Sequence, residues 1–264
     1  MACMPIIQRR NGLPKRRTVA LLNRGFSLIE LVVVISVSTV LTGLLLPALS
    51  KVQEGANRVY CASNQRQLGQ AMFLFAHDRN GKLPKSEIAA SGTHPWDLTA
   101  VTESTHGGHR WDGIGWLYAH NYCRTPNCFY CPSHGGNHAY EEYEITWREI
   151  GQVGAWTRPS REIQTNYHYA GDVDWVTKRP RRLSEGSKLV LLADGLREFE
   201  DLNHTAGVNV LRGDGSVQYV NSPRIRELLW ESTIPLIRSV SSFNELWDLI
   251  SEKQAQQPLA GARD

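Results

Sequence analysis

The sequence predicts an α+β protein: one long N-terminal α-helix, its first half apolar enough to be transmembrane, packed on a C-terminal head built around an antiparallel β-sheet. Three observations predict this. Residues Phe26 to Leu49 form an apolar run in which Glu30 is the one charge. Helical spacing of apolar residues continues past that run as far as Phe75. The stretch GVNVLRGDGSVQYV alternates on both sides of Asp214-Gly215, and Asp-Gly readily adopts the positive backbone angles of a tight hairpin turn.

The first elements are set by charge and length. Of the 264 residues, the first 25 carry six bases (Arg9, Arg10, Lys15, Arg16, Arg17, Arg24) and no acid. The overall net charge of +3 therefore hides a basic leader, residues 1–25, and a slightly acidic remainder. A uniformly basic nucleic-acid-binding protein is excluded by that partition, and no nucleic acid is expected as a partner. Residues 26–49 read as a single transmembrane segment in contact with membrane lipid, because a 24-residue helix spans about 36 Å against a hydrocarbon core of about 30 Å. The bases before it predict a cytoplasmic N-terminus and an exported body. A secretory signal peptide would have a shorter apolar core followed by small residues at a cleavage site, and neither is present. A carboxylate inside such a segment is costly, which marks Glu30 as a functional residue.

Residues 50–80 continue the helix with one amphipathic face. Val52, Ala56, Val59, Leu68, Met72 and Phe75 recur at three- and four-residue steps, broken around Ser63–Asn64, while Lys51, Glu54, Asn57, Arg58, Arg66 and Gln67 fall on other faces. Asn80-Gly81 and Pro84 supply the stop signals of a helix some 50 residues long. Residues 81–222 form the head. Its first part, 85–187, is rich in Gly, His and Trp and weak in periodicity, so it reads as loops with short elements such as GIGWLYAHNY, its tryptophans packing a core. KLVLLADG reads as a short buried strand, followed by the hairpin. Residues 223–264 form an extension with two short helices, IRELLW and FNELWDLI, and a tail whose composition is that of disorder.

Beyond Cys3, the cysteines are Cys61, Cys123, Cys128 and Cys131, which allow three pairings. In an exported body disulfides are the first expectation. Cys128, Cys131, His134 and His138 offer four zinc-ligand types, but two residues between the Cys and His pairs leave little room for tetrahedral closure. His94, His106 and His109 are irregularly spaced in a Trp-rich segment and read as solvated or packing side chains. Asp194 and Asp214 each precede a glycine at the end of a strand, where turn-making is the first role to consider. The RGD at 212–214 falls in the hairpin turn. No nucleophile elbow, P-loop or dinucleotide fingerprint is present.

RGFSLIE resembles the prepilin peptidase recognition sequence: Gly25 before the cut, Phe26 as the new N-terminus and Glu30 as the fifth mature residue. Pro47 falls where pilins and pseudopilins commonly carry a helix-loosening proline. Over most of residues 24–220 the chain resembles planctomycete-type pseudopilin-like proteins with a C-terminal H-X9-DG domain. The residues carrying this are CASNQRQLGQAMFLFAHDRNGKLP, GIGWLYAHNYCRTPNCFYCPS and HTAGVNVLRGDG, in which nine residues separate His204 from Asp214 and Gly215 follows. The head differs from the major pseudopilin of type II secretion in its length and extra cysteines.

The resemblance implies a pilin-like fold, cleavage between Gly25 and Phe26, N-methylation of Phe26, and assembly through Glu30 and Pro47. It implies a structural subunit with no enzymatic activity, anchored by a single pass in the inner membrane with a periplasmic head. Its partners would be the prepilin peptidase, other pseudopilin subunits and the inner-membrane assembly platform of a type II secretion or type IV pilus-like filament. It also implies a Cys61–Cys131 disulfide, which leaves Cys123 and Cys128 as a local pair; closing the 61–131 loop would contribute on the order of 4 kcal/mol. No cofactor is required on this reading. Calcium is the candidate ion, held by Asp194, Asp214 and Asp201, with His204, a poor calcium ligand, hydrogen-bonding across the hairpin instead. Two other classes are open to these residues: an anchored carbohydrate- or metal-binding module, and an anchored metal hydrolase.

Overall fold

In the computed structural model, residues 27–105, 108–153, 158–204, 207–232 and 239–251 are described. One helix, α1 (Leu28–His77), runs for 50 residues and ends where the sequence places its stop signals. Asn80 and Gly81 take positive φ angles of 55° and 78°, and the Gly81 amide caps the helix by donating to the Ala76 carbonyl at 2.8 Å. The chain divides into two units, Met1–Leu49 and Ser50–Asp264.

In the first unit every described side chain is exposed, although most are aliphatic. Three of its hydroxyls bond to the helix's own carbonyls. Ser36 donates to the Val33 carbonyl, Thr39 to Ile35 and Thr42 to Ser38, each within 2.9 Å. Such back-bonding is what a helix surrounded by hydrocarbon requires of its polar residues.

In the second unit the buried face of α1 consists of Cys61, Asn64, Gln65, Leu68, Gly69, Ala71, Met72, Phe75 and Ala76. The stripe expected from Val52, Ala56 and Val59 is corrected here, since all three are exposed. Only Leu68, Met72 and Phe75 of that stripe are buried. The expected break at Ser63–Asn64 is part of the face, because Asn64 and Gln65 are buried polar side chains whose amides donate to the head.

After α1 come α2 (Glu87–Ser91), the hairpin β1 (Thr102–Thr105) and β2 (Gly108–Trp111), α3 (Gly115–Ala119) and α4 (Tyr140–Val153). A second sheet follows, built from β3 (Tyr167–Tyr169), β4 (Val190–Asp194), β5 (Gly207–Arg212) and β6 (Val217–Asn221), antiparallel throughout and in that spatial order. The chain then forms α5 (Pro223–Ser232) and α6 (Val240–Ser251). The expected disordered tail, from residue 252, lies outside the described residues.

The pleat of the second sheet sorts its side chains into two cores. Tyr167, Tyr169, Leu192 and Leu211 face Leu68, Met72, Phe129 and Trp147. Ala193, Val208, Val210 and Val220 face Ile225, Leu229, Phe243, Leu246 and Ile250 of α5 and α6. A register shift between Val190 and Leu192 lets two consecutive residues, Leu191 and Leu192, enter the first core, as a β-bulge does. Helices α5 and α6 are therefore not an appendage, for they share the second core with the sheet.

Three of the tryptophans between residues 94 and 175 are core residues, while Trp96 and Trp116 are half-buried and Trp230 is exposed. Trp111, Trp147 and Trp175 are buried, with Trp147 stacked on Trp111 and Phe129 at ring separations of 5.9 and 5.7 Å. Trp156 lies outside the described residues.

Candidate functional site

Two regions carry the residues singled out by sequence. At the start of α1, Glu30 occupies the first turn and its carboxylate accepts the Ser27 amide at 2.9 Å. An acid there complements the partial positive charge of a helix N-terminus. Pro47 sits inside the uninterrupted helix. Gly25 and Phe26 lie outside the described residues.

The second region is a buried polar cluster, drawn from five separate segments. Alternation along β4 turns Asp194 to the same side as Leu192, toward α1, where it is fully buried. Its Oδ1 accepts the Gln65 amide at 2.8 Å and the Cys61 thiol at 3.0 Å, and its Oδ2 accepts the Asn209 backbone N–H at 2.6 Å. His204, just before β5, places Nε2 3.6 Å from Asp194 Oδ2, 3.7 Å from Cys131 Sγ and 3.3 Å from the Asn209 side-chain amide. Its other nitrogen, Nδ1, lies 2.6 Å from Glu54 Oε1, and the remaining Glu54 oxygen accepts Ser133 Oγ at 2.7 Å. Tyr167 closes the cluster: its hydroxyl donates to the Tyr130 carbonyl at 3.2 Å and lies 3.4 Å from Cys61 Sγ.

The electrostatics follow from burial. Desolvation pushes the Asp194 carboxyl up, against the pull of His204 and its hydrogen-bond donors. Desolvation also raises the Cys61 thiol, reinforced by Cys131 and Asp194. For His204 burial works against charge, but contact with Cys131, the Asp194 carboxylate and Glu54 outweigh it and lift the imidazole to about 9. The cluster is a fixed pocket for positive charge at His204 Nε2.

The implied Cys61–Cys131 bridge is corrected by the structure: both are free, buried thiols. Their sulfurs and His204 lie within 4.8 Å of one another, and each thiol has its own partner, Asp194 for Cys61 and His204 for Cys131. Cys123 and Cys128 are joined as a disulfide. The Cys128–Cys131–His134–His138 set is not assembled, because Cys128 is bridged, His134 contacts Asn203 and Asn137, and His138 lies between Tyr143 and Arg197.

The calcium set does not converge either. The strand register pairs Val190 with Arg212 and Ala193 with Val210, so Asp214 lies at the opposite end of β4 from Asp194. Asp214 spends its carboxylate on Ser216, accepting the backbone N–H at 2.9 Å and the hydroxyl at 2.7 Å, while Gly215 at φ 83° completes the turn. Asp201 is buried in a 3-10 turn, its carboxyl lifted to about 6 by desolvation. His204 is directed into the head cluster, not across the β5–β6 hairpin.

Sequence reasoning missed Glu54, Gln65 and Asn209. A signal existed for two of them, since Glu54, Cys61, Gln65 and Leu68 recur at seven-, four- and three-residue steps on one helix face. Reading only apolar residues as that face concealed it.

Elsewhere a cleft of about 540 Å³ is lined by Phe75, Trp116, His120 and several bases. Three of its charges are already partnered. Arg79 covers the Phe75 ring and donates to Tyr122, Arg181 pairs with Asp174, and Lys85 pairs with Glu87.

Comparison with known proteins decides the character of the first region. Residues 22–46 match the prokaryotic N-terminal methylation motif. The N-terminus is of the prepilin type. The motif implies processing by a prepilin peptidase and assembly with other subunits. Among the described residues α1 is the one helix long and apolar enough to cross a membrane, which with the motif points to a single-pass membrane anchor with a pilin-like N-terminus. No curated protein and no solved structure matches the chain significantly.

Proposed function

We propose that this chain is a structural pilin-like subunit, cut between Gly25 and Phe26, N-methylated on Phe26, and assembled through α1 into a filament of a type II secretion or type IV pilus-like system. The prepilin-type match over residues 22–46 carries this reading. The geometry of the first unit supports it. Leu28, Ile29, Leu44 and Leu45 are each more than 60 % exposed, and apolar side chains cover every face of the helix. An exposed apolar surface of that kind needs lipid before assembly and neighbouring helices after it.

Removing the leader creates an α-amine at Phe26, four residues before Glu30 in the sequence. In a staggered filament the Glu30 carboxylate meets the amine of a neighbouring subunit. The head lies on the periplasmic side, the basic leader in the cytoplasm, and the subunit performs no catalysis. A carbohydrate-binding head gains no support from Trp111, Trp147 and Trp175, whose rings are buried.

Mass spectrometry of the N-terminus of the chain isolated from membranes tests the proposal. An N-methylated phenylalanine at position 26 is expected, and an intact 1–25 segment in the assembled protein would overturn it.

A further inference from the structure

We propose that Cys61, Cys131, His204 and Asp194 form a tetrahedral site for a zinc-class divalent cation, which ties α1 to the sheet of the head. The donor set is the first ground. Two sulfurs and an imidazole nitrogen lie within 4.8 Å of one another, and all three residues are buried. Thiolate and imidazole select borderline-to-soft metals such as zinc, whereas calcium requires an oxygen cage.

Spacing is the second ground. Zinc bonds of about 2.0–2.3 Å imply ligand–ligand edges of roughly 3.3–3.8 Å in a tetrahedron. His204 Nε2 lies 3.7 Å from Cys131 Sγ and 3.6 Å from Asp194 Oδ2, and Cys61 Sγ lies 3.0 Å from the other oxygen of that carboxylate. The first two separations match such edges, whereas the third is a thiol hydrogen bond to the other carboxylate oxygen, lost when Cys61 is deprotonated to ligate the metal.

Orientation of the histidine is the third ground, and it separates a metal site from a disulfide. Metal-ligating histidines usually donate their second ring N–H to a carboxylate or carbonyl, which fixes the tautomer and the aim of the ligating nitrogen. Glu54 provides that carboxylate at 2.6 Å from Nδ1, and it is itself held by Ser133. A Cys61–Cys131 bridge would use none of this: not the aimed imidazole, the Glu54 buttress or the buried Asp194 carboxylate. Binding deprotonates both thiols and takes the Nε2 proton from His204, after which two thiolates, one carboxylate and a neutral imidazole face the doubly charged cation.

The site is independent of the filament reading, since it lies wholly within the second unit. The test uses the full chain purified in detergent without chelator. Elemental analysis is expected to find about one zinc per chain, and replacement by cobalt(II) to give the visible absorption of a tetrahedral thiolate site. Zinc is lost in Cys61→Ser and Cys131→Ser but retained in a Cys123→Ser/Cys128→Ser pair. Because ligand variants can fail to fold, Glu54→Gln supplies a second reading: it keeps all four ligands and weakens zinc affinity roughly 10- to 100-fold with the circular dichroism of the head unchanged. Zinc-free protein whose peptide map shows a Cys61–Cys131 disulfide overturns the proposal. So does zinc that survives removal of both cysteines, or an affinity indifferent to Glu54→Gln.

Discussion

At the scale of single residues, the head is specified by positions where one atom more or less changes what can pack. Gly207 opens β5, and a Cβ there would collide with the Val220 carbonyl and lie 2.9 Å from the Asn221 Cα, both backbone groups of the neighbouring strand. Backbone cannot swing aside as a side-chain tip can, so the strands must part. Gly207→Ala is expected to lower the stability of the detergent-solubilised chain by about 1–3 kcal/mol, the usual cost of overpacking. Gly55→Ala, whose Cβ meets nothing within 4 Å, should be neutral or slightly stabilising in the same urea titration. Equal effects at the two positions would refute the steric account. Individual residues were legible in the sequence where their chemistry is local. Asp214-Gly215 announces its turn because both residues act on their own backbone. Asp194 also precedes a glycine, yet its role is set by Gln65, Cys61 and Asn209, partners supplied by distant segments. No local pattern reports such an arrangement.

At the scale of elements, α1, β4 and the β5–β6 hairpin were legible because each has a period or a turn signal of its own. Helix α4 was not. Its buried residues Tyr143, Trp147 and Ile150 do follow helical spacing, but they are diluted among glutamates and arginines inside a segment otherwise without period. The bulge in β4 was hidden for a different reason, since a continuous run such as LVLLA carries no alternation to be broken. Helix α2 depends on a connection that only the fold reveals. Asp112, from the loop after β2, accepts the Glu87 amide and the Ser86 hydroxyl, each at 2.8 Å, and so holds the start of α2. Burial lifts its carboxyl from 3.8 to about 6, despite those two donors. Between those values the folded chain binds more protons than the unfolded one, so stability falls as pH rises from about 4 to about 6, by roughly 3 kcal/mol for this group. Asp201, lifted in the same way, adds a slope of the same sign. Asp112→Asn keeps an acceptor for Glu87 and removes the charge, so urea titrations across this range should show a visibly flatter profile. An unaltered slope would exclude Asp112 as a source.

At the scale of the whole molecule, the two units answer to different solvents, and each has a test of its own. The head needs its last two helices. Without α5 and α6, Val208, Val210, Val220 and Ala193 would face water, and the buried Arg212 guanidinium would lose its acceptors at Ile250 and Ser251. Truncation after residue 222 is therefore expected to leave membrane insertion intact while the head becomes sensitive to brief proteolysis. A protease-resistant truncated head would show that the first core suffices. The anchor is governed by Glu30. Among the described residues its carboxylate accepts the Ser27 amide, a hydrogen bond that a neighbour's ammonium can join. A buried ion pair adds little net stability, but leaving one partner unpaired in a low-dielectric surrounding is strongly unfavourable, so the pair enforces register between helices. Two substitutions separate charge from shape. Glu30→Ala removes both, whereas Glu30→Gln keeps an oxygen for the Ser27 amide and loses only the charge. Both variants should partition into membranes as the parent chain does, and both should lose cross-linkable multimers after processing. If Glu30→Gln assembles like the parent, a hydrogen bond is enough and the charge pairing is refuted; if only the parent assembles, the carboxylate acts through the amine that cleavage at Gly25 exposes.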